Sequence, residues 1–459
     1  MTPSSVARFM ANMFPPSTLQ TCHLLDAGAG LGALSCAFLD RWLDGGLAFQ
    51  KVEVTAYEID GTLHEHLRQH LAAYDRVKSE VIGDDYITQA AVEGLEKGFF
   101  THAILNPPYK KINSSSVHRL ALRAVGIETV NLYSAFVALA VAQAAPDGQI
   151  VAIIPRSFCN GPYYRPFRDF ILERAALRQM HLFDSRTQAF KDDQVLQENV
   201  IIRLERGADQ GPVTITTSTD DSFCDLVTHQ HPFDRIVFPD DPGRFIHIPT
   251  STGKSTIELS PAVRYSLADL GIRVSTGPVV DFRLKDQLRD MPESGTVPLI
   301  YPGHLSMTGT VWPLMGLRKP NAILRNETTE KWLYPTGFYC VVRRFSSKEE
   351  KRRVVASVVD PEPFHPHEML GFENHINVFH ENKGGLPESL ARGLAVFLNT
   401  SAVDESFRRF NGHTQVNATD LKLMKYPSRS ALTVLGEWAK EQRGITQAMI
   451  DDQLGRLPA

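Results

Sequence analysis

The sequence has few of the features that mark secreted, membrane-spanning or metal-binding proteins. Its five cysteines lie far apart in 459 residues and form no CxxC pair, which argues against a disulfide framework or a zinc site and favours a reducing cytoplasm. No HExxH motif occurs, so no metal is expected. No apolar run reaches the roughly 18 residues of a membrane helix, and the N-terminus lacks the shape of a signal peptide.

An excess of positive charge is also lacking. The 48 Lys and Arg residues are outnumbered by 52 Asp and Glu, giving a net charge of −4, which by itself counts against a nucleic-acid partner. With 43% apolar and 22% charged residues, the composition is that of an ordinary globular protein. At roughly 150 residues per domain, the length predicts two or three domains.

Two patterns divide the chain. Up to about residue 205, apolar strands alternate with helical segments, which predicts an α/β domain with a mostly parallel, seven-stranded sheet. From about residue 210, turn residues become dense, short β-like runs appear, and helical patterns return near 386–398 and 431–443. We therefore predict a first domain at 1–208 and a mixed α+β domain at 209–459.

A glycine-rich turn, DAGAGLG at 26–32, follows the first strand and opens a helix. Gly28 and Gly30 allow the backbone to turn tightly and approach a ligand. The spacing differs from the dinucleotide pattern G-x-G-x-x-G, and Asp26 in front of the glycines suits a cationic or amine-bearing ligand. Turns of this kind occur in many α/β proteins, so the motif alone leaves a purely structural role open.

Acidic residues follow the second and third strands. Glu58 can accept hydrogen bonds from both hydroxyls of a ribose, and Asp84 can accept one from an adenine amino group. Helix capping, which fits Asp60, and a solvated loop are the alternatives. Together with Asp26, these carboxylates outline a pocket for a nucleoside with a positively charged tail, a description that S-adenosylmethionine meets.

The most specific motif is Asn106-Pro107-Pro108-Tyr109, after the fourth strand. Proline lacks an N–H and restricts the preceding residue to extended conformations, so the chain must leave the sheet here. The Asn106 amide oxygen and the Pro107 carbonyl can then grip the two hydrogens of a planar NH2 group. The Tyr109 ring can stack on the flat group that carries it. The alternative is a proline turn covered by an aromatic side chain.

In this order, the motifs resemble those of amino-group DNA methyltransferases, most closely the TaqI-like N6-adenine enzymes. The resemblance implies a Rossmann-like methyltransferase domain, S-adenosylmethionine as cofactor, a flipped adenine in duplex DNA and a C-terminal target-recognition domain. It assigns cofactor binding to Thr2, Asp26, Gly28, Gly30, Glu58 and Asp84, and base stacking to Tyr109 and Phe190, with Phe183 as a competitor for the second aromatic.

Further segments, among them PRSFCNGPYYRPFRDF, ENHINVFH and FNGHTQVNATDLKLMKYPS, are similar to restriction–modification methyltransferases of the PstI and BsuBI type. This similarity implies a palindromic hexanucleotide target such as CTGCAG. It also implies a cognate restriction endonuclease acting on the same site, without a stable complex. N4-cytosine methylation, glutamine N5 methylation of a protein, and a non-catalytic DNA-binding specificity subunit are the alternatives.

Contacts with DNA must come from local clusters. Candidates for the phosphate backbone are Lys110 and Lys111, and a basic segment that runs from Arg343 and Arg344 to Arg353. The segment NGHTQVN offers His413, Gln415 and Asn417, with Asn411 and Thr414, as readers of base edges. A solvated basic face and a capped turn before a helix are the respective alternatives.

Overall fold

The computed structural model describes residues 2–93, 98–183, 198–239, 241–249, 260, 262–306, 309–346, 350–410 and 415–456. The chain divides into two units, Met1–Thr252 and Gly253–Ala459.

The first unit is built on one twisted sheet that alternates with helices. Its elements in chain order are α1 (Ser4–Asn12), β1 (Thr21–Ala27), α2 (Ala33–Leu43), β2 (Lys51–Tyr57), α3 (His64–Ala72), β3 (Val77–Ile82), α4 (Tyr86–Glu93), β4 (Phe100–Leu105), α5 (Val117–Ala124), α6 (Leu132–Gln143), β5 (Ala144–Pro155), α7 (Arg165–Arg174), β6 (Ala175–Phe183), β7 (Asn199–Arg206), β8 (Val213–Ser218) and β9 (Val227–His231).

The described strands of this sheet are ordered β3-β2-β1-β4-β5-β7-β6-β8-β9. Strands β1 to β5 are parallel, whereas β7 runs antiparallel to both β5 and β6. The predicted α/β fold and its mostly parallel, seven-stranded sheet are confirmed in β1 to β7. The predicted domain boundary at 208/209 falls too early, because β8 pairs with β6 and β9 pairs with β8. Two further strands thus extend the sheet of the first unit.

Helices cover both faces of this sheet, and side-chain alternation along the strands explains why. Leu24 packs with α1, α2 and α3, whereas its neighbour Leu25 packs with α4 to α7 on the other face. Ile104 and Leu105 of β4 divide in the same way. Strands buried on both faces read as continuous apolar runs, which is the pattern of the sequence here.

The second unit contains two sheets and a group of helices. Its strands are β10 (Arg273–Thr276), β11 (Leu288–Arg289), β12 (Thr296–Ile300), β13 (Ala322–Leu324), β14 (Leu333–Pro335), β15 (Tyr339–Arg343), β16 (Ala356–Val359), β17 (Met369–Phe372) and β18 (Ile376–His380). Its described helices are α8 (Glu388–Leu398), α9 (Ser401–Phe410), α10 (Ala418–Leu423), α11 (Arg429–Glu441) and α12 (Gln447–Gly455).

One sheet has the order β10-β18-β15-β16 and the other β11-β13-β12-β17-β14. The helices share a hydrophobic core with the first of these sheets. Helices α8 and α11 approach very closely, since a Cβ atom at Gly393 would lie 1.7 Å from the Leu432 carbonyl oxygen. The mixed α+β prediction for the C-terminal part is confirmed.

Across the described ranges, the helices are all too short or too polar to cross a membrane. All five cysteines are free thiols.

Candidate active site

Four neighbouring strands bring the predicted site residues to one edge of the sheet. Strands β3, β2, β1 and β4 are adjacent and parallel in that order, so their carboxyl ends lie side by side. Asp84, Glu58, the glycine turn and Asn106 follow these ends in the same order. The chain order of the strands reverses between β1 and β4, and such a switch point is where open α/β sheets bind ligands.

The glycine turn joins the ends of β1 and β2. The amides of Gly28 and Ala29 both donate to the Tyr57 carbonyl at 2.9 Å, and the Gly30 amide donates to Glu58 Oε2 at 2.8 Å. Gly28 and Gly30 have φ angles of +80° and +57°, which explains the need for glycine. A Cβ atom on Gly28 would lie 3.9 Å from the Asn106 carbonyl oxygen, so the turn passes close to the NPPY segment.

Asp26 lies beneath this turn and is fully buried. The Ser35 hydroxyl donates to its Oδ2 atom at 2.6 Å, whereas no hydrogen-bond partner for Oδ1 is found among the described residues. Burial raises the pKa of Asp26 to about 7, and the hydrogen bonds from Ser35 oppose this rise. A buried carboxylate with an orphaned oxygen fits a ligand that brings a positive charge.

Glu58 is held by two backbone amides. Its Oε2 accepts from Gly30 and its Oε1 accepts from Asp60, both at 2.8 Å. A carboxylate offers about four acceptor positions, so two remain for the hydroxyls of a ribose. Asp60 is occupied differently, because its carboxylate accepts from the Thr62 amide at 3.0 Å and the Thr62 hydroxyl at 2.7 Å. The Asp60 carboxylate therefore stabilises the turn before α3 and not the helix cap itself, which is Leu63 and has no side-chain cap hydrogen bond.

The two aspartates after β3 also differ. Asp85 caps α4 by accepting from the Thr88 amide at 2.9 Å, and it contacts His118 Nε2 at 3.0 Å. Asp84 is exposed at the strand end. The residues at the edge of the sheet thus fit a nucleoside with a cationic tail, with Asp84, Glu58 and Asp26 spaced along it.

The NPPY segment leaves β4 beside this pocket. Asn106 Nδ2 donates to the Thr2 hydroxyl oxygen at 2.9 Å, and the Tyr109 hydroxyl donates to Asn106 Oδ1 at 3.3 Å. Pro107 is buried, Pro108 is exposed and Tyr109 is half-buried. Thr2 therefore lies at the amide that was predicted to grip the target amine.

A row of tyrosines supports Tyr109, and sequence reasoning missed it. The ring of Tyr133 meets that of Tyr109 edge-on at 6.1 Å and stacks with Tyr164 at 5.8 Å. The Tyr133 hydroxyl is hydrogen-bonded to Ser157 Oγ at 3.1 Å, which anchors the buried ring. A polar aromatic in the mostly apolar helix α6 is the signal in the sequence that could have revealed this row.

The base-stacking prediction concerning Phe190 falls outside the described residues. Its competitor Phe183 is buried, and its ring packs against His181 at 4.7 Å and Phe223 at 5.8 Å. Lys110 and Lys111 are exposed directly after Tyr109.

The chain then returns along the start of α6, because Lys111 forms an antiparallel bridge with Asn131 and the Leu132 amide donates to the Lys110 carbonyl at 2.8 Å. The two lysines therefore lie beside the NPPY segment.

The basic segment of the second unit is less available than predicted. Arg343 is ion-paired with Glu350. Arg353 is buried and donates to Ser346, while Arg352 donates to Gln447 and to the Thr400 carbonyl, both at 2.9 Å. Arg352 and Arg353 thus serve the interior of the unit, and the prediction that the whole segment binds phosphates is wrong for these two residues.

Two of the predicted base readers, Gln415 and Asn417, already have hydrogen-bond partners within the second unit. Arg344 donates to Gln415 Oε1 at 3.1 Å and to the Asn374 carbonyl at 3.2 Å. The Asn417 amide donates to Asp420 Oδ2 at 2.9 Å in a capping box at the start of α10, as the structural alternative predicts for that residue. His413, Asn411 and Thr414 lie outside the described residues.

The chain is similar in sequence to known methyltransferases. Residues 39–190 match the family described as Eco57I restriction-modification methylase. The chain is 53% identical to the type II methyltransferase M.BsuBI of Bacillus subtilis, with 99% of this chain and 93% of that protein aligned. It is 44% identical to the type II methyltransferase M.PstI of Providencia stuartii over 94% of this chain and 87% of that protein.

Among solved structures, a cryo-EM structure of a DrdV–DNA complex is similar with a TM-score of 0.50 and 11% identity. The similarity covers 95% of this chain and 56% of that chain, and it bears on the fold alone.

Proposed function

Because this chain belongs to the type II restriction–modification methyltransferases of the BsuBI and PstI group, we propose that it methylates the N6 amine of a flipped adenine. It is a DNA methyltransferase that uses S-adenosylmethionine. The adenine, the target sequence and the roles of individual residues are proposals. The observation that carries the residue roles is the placement of the NPPY segment directly beside the glycine turn, at the switch point between β1 and β4, whereas the adenine and the target sequence are proposed from the similarity to M.BsuBI and M.PstI.

Each proposed cofactor residue along the sheet edge binds a different part of S-adenosylmethionine. Asp84 accepts from the adenine amino group, Glu58 holds the ribose hydroxyls, and Asp26 balances positive charge near the methionine part. S-adenosylmethionine supplies an electrophilic methyl group on a sulfonium. The backbone of Gly28 keeps this pocket within a few ångströms of the Asn106 carbonyl, which brings donor and acceptor sites together.

The NPPY segment orients the target amine. The Asn106 side-chain oxygen and the Pro107 carbonyl accept its two hydrogens, which directs the nitrogen lone pair towards the methyl group. Extruding a base costs a few kcal/mol. Stacking on Tyr109, whose ring is braced by Tyr133, offsets part of that cost at roughly 1–3 kcal/mol per base. Phe190 is the proposed second stacking residue.

DNA outside the flipped base is held by local cations. Lys110 and Lys111 are exposed next to the NPPY segment and are proposed to contact the backbone of the DNA. In the second unit, Arg343, Arg344, Gln415, His413 and Asn417 stay predictions as DNA contacts. The proposed biological role is protection of a hexanucleotide such as CTGCAG from a cognate endonuclease.

The product of the reaction tests the proposal. Duplex DNA containing CTGCAG is incubated with the protein and methyl-labelled cofactor, then digested to nucleosides. We expect label in N6-methyladenine. Label in N4-methylcytosine would contradict the base assignment. In a parallel incubation with a release factor, label in its glutamine without label in DNA would contradict the substrate class.

Substitutions in the NPPY segment test the residue roles. We expect Asn106→Ala to lower methyl transfer at least about tenfold, a barrier increase of roughly 1.4 kcal/mol, with little change in cofactor affinity. Tyr109→Ala should do the same, whereas Tyr109→Phe, which keeps the ring, should retain most activity. Asn12→Ala, on the exposed end of α1, is the matched control. Wild-type turnover in Asn106→Ala would overturn the assignment.

A further inference from the structure

Thr2 makes a contact with the catalytic segment that a role in cofactor binding does not require. Its hydroxyl oxygen accepts a hydrogen bond from Asn106 Nδ2 at 2.9 Å, although the two residues are far apart in the chain. The other end of the same amide, Oδ1, accepts from Tyr109. We propose that Thr2 is a positioning residue that orients the Asn106 amide towards the target amine, a role that rests on the proposed function.

The orientation of the amide matters because its two ends have opposite hydrogen-bonding character. Oδ1 is an acceptor, and the amine of the target base must donate to it. A rotated amide would present Nδ2 to that amine and set two donors against each other. By accepting from Nδ2, Thr2 holds that end away from the base, and Oδ1 remains on the side where Tyr109 lies.

The local structure of the N-terminus fixes the position of Thr2. Helix α1 begins two residues later, and the Ala7 amide donates to the Pro3 carbonyl at 2.9 Å, so the chain is anchored immediately after Thr2. Val6, Ala7, Met10 and Ala11 of α1 are buried against the sheet. An anchored hydroxyl restricts the amide more than a solvent molecule would.

Two variants separate the hydroxyl from the shape of the side chain. Thr2→Val keeps the branched shape and removes the hydroxyl, while Thr2→Ser keeps the hydroxyl. We expect Thr2→Val to lower the single-turnover rate of methyl transfer about tenfold and Thr2→Ser to stay within about twofold of wild type. Cofactor affinity, measured by calorimetry, should change less than the rate in both. Thr2→Ala serves the same comparison should Thr2→Val prove unstable.

A double-mutant cycle shows whether Thr2 acts through Asn106. In an Asn106→Ala background, Thr2→Val should cause no further loss of rate, because the amide it positions is gone. Equal losses in the two backgrounds, or a loss of cofactor affinity as large as the loss of rate, would overturn the proposal. Failure of the proposed function itself would look different, since the wild type would then form no N6-methyladenine.

A separate observation concerns the second unit, where three loops expose aromatic and basic side chains together. We call residues 282–285, 315–319 and 344–345 with His375 the loop surface. Phe282 and Met315 are 63% and 78% exposed, and Phe345 is 39% exposed. Apolar side chains this open are unusual beside so many exposed cations, here Arg283, Lys285, Arg318 and Lys319.

Named contacts join the three loops into one surface. Lys319 Nζ donates to Asp281 Oδ2 at 2.7 Å, which ties the second loop to the first. The Asn374 amide, next to His375, donates to the Val279 carbonyl at 2.9 Å, just before the first loop, and the His375 ring lies 4.7 Å from that of Phe345 in the third loop. Glu373, the acidic residue nearest to His375, is fully buried. Asp286 is exposed beside Lys285 and Asp281 pairs with Lys319, so the four exposed cations of the loop surface outnumber the acidic residues beside them, and its outward charge is positive on balance.

We infer that the loop surface binds duplex DNA, with Arg283 and Lys285 on phosphates and Phe282 against the bases. Positive charge that alternates with exposed apolar side chains matches a partner with an anionic backbone and stackable bases. The inference rests on DNA as the substrate, and it goes beyond the residues of the NGHTQVN segment.

Salt dependence of DNA binding tests this surface. In the double variant Arg283→Gln/Lys285→Gln, the slope of log affinity against log salt should become shallower by about one to two. Phe282→Ala should weaken binding to the target duplex with an unchanged slope. The control is Arg456→Gln at the C-terminal cap of α12, an exposed arginine paired with Asp452. Unchanged affinity and slope in both loop variants would overturn the inference, as expected for a surface that binds a protein instead.

Discussion

Asp26 should make cofactor affinity depend on pH near neutrality. Burial raises its pKa to about 7, against the hydrogen bonds from Ser35. A cationic ligand is attracted to the ionised carboxylate and not to the neutral acid, so affinity rises as the pH rises through 7. For a pKa of about 7, protonation weakens binding by a factor of about 1.1 at pH 8 and about 11 at pH 6. The expected change is about tenfold, or roughly 1.4 kcal/mol.

The stability of the free protein should change in the opposite direction. Because the folded pKa lies above the value of 3.8 for an unperturbed aspartate, folding favours the protonated form. The contribution of Asp26 to stability is therefore fully present below pH 3.8 and is lost as the pH rises through about 7. Binding and folding thus respond to the same proton with opposite signs.

Calorimetric titration at pH 6, 7 and 8 measures this effect in wild type and in Asp26→Asn. The asparagine keeps the shape of the side chain and cannot ionise, so its affinity for the cofactor should be weaker at pH 8 and nearly independent of pH. S-adenosylhomocysteine lacks the sulfonium charge and keeps the ammonium charge. The pH dependence of its affinity therefore shows which of the two charges Asp26 interacts with. Equal affinity of the wild type at pH 6 and pH 8, or the same pH dependence in Asp26→Asn, would refute the reasoning.

Two further predictions use matched pairs of residues. Asp84→Ala should weaken cofactor binding without a change in melting temperature, whereas Asp85→Ala should cost about 1 kcal/mol of stability by removing the cap of α4; the reverse pattern would exchange their roles. Gly393→Ala should lower the free energy of unfolding by at least about 1–3 kcal/mol, because the new methyl group would meet the Leu432 carbonyl. Gly444→Ala, which meets nothing within 4 Å, should be nearly neutral.

The sheet edge that carries the proposed cofactor residues could be predicted, because each of its motifs is a short, continuous stretch of sequence. Each of these site residues lies just after the end of a strand, and parallel pairing is enough to bring Asp84, Glu58, the glycine turn and Asn106 to one edge. Choosing among neighbouring acids needed the structure. Asp60 and Asp85 are also acids that follow these strands, but their carboxylates accept hydrogen bonds from backbone amides two and three residues further on.

The end of the sheet could not be predicted from local pattern. Strand β8 is rich in threonine and is followed by a turn, so it looks like an independent β-rich segment. Its place is set by pairing with β6, a long-range contact that no periodicity records. The tyrosine row has the same origin, since Tyr109, Tyr133 and Tyr164 lie on different elements and meet only when the sheet is assembled.

The negative net charge of the chain does not exclude DNA as a partner, because net charge also counts buried side chains that no DNA could contact. Arg168 is buried and donates to the carbonyls of Phe158, Gly161 and Gly243, and Arg353 is equally buried. Such residues add to the count and not to the outward field. At physiological salt, a phosphate responds to cations within about 8 Å. What decides DNA binding is therefore whether exposed cations such as Arg283 and Lys285 lie on one surface, and no composition can show that.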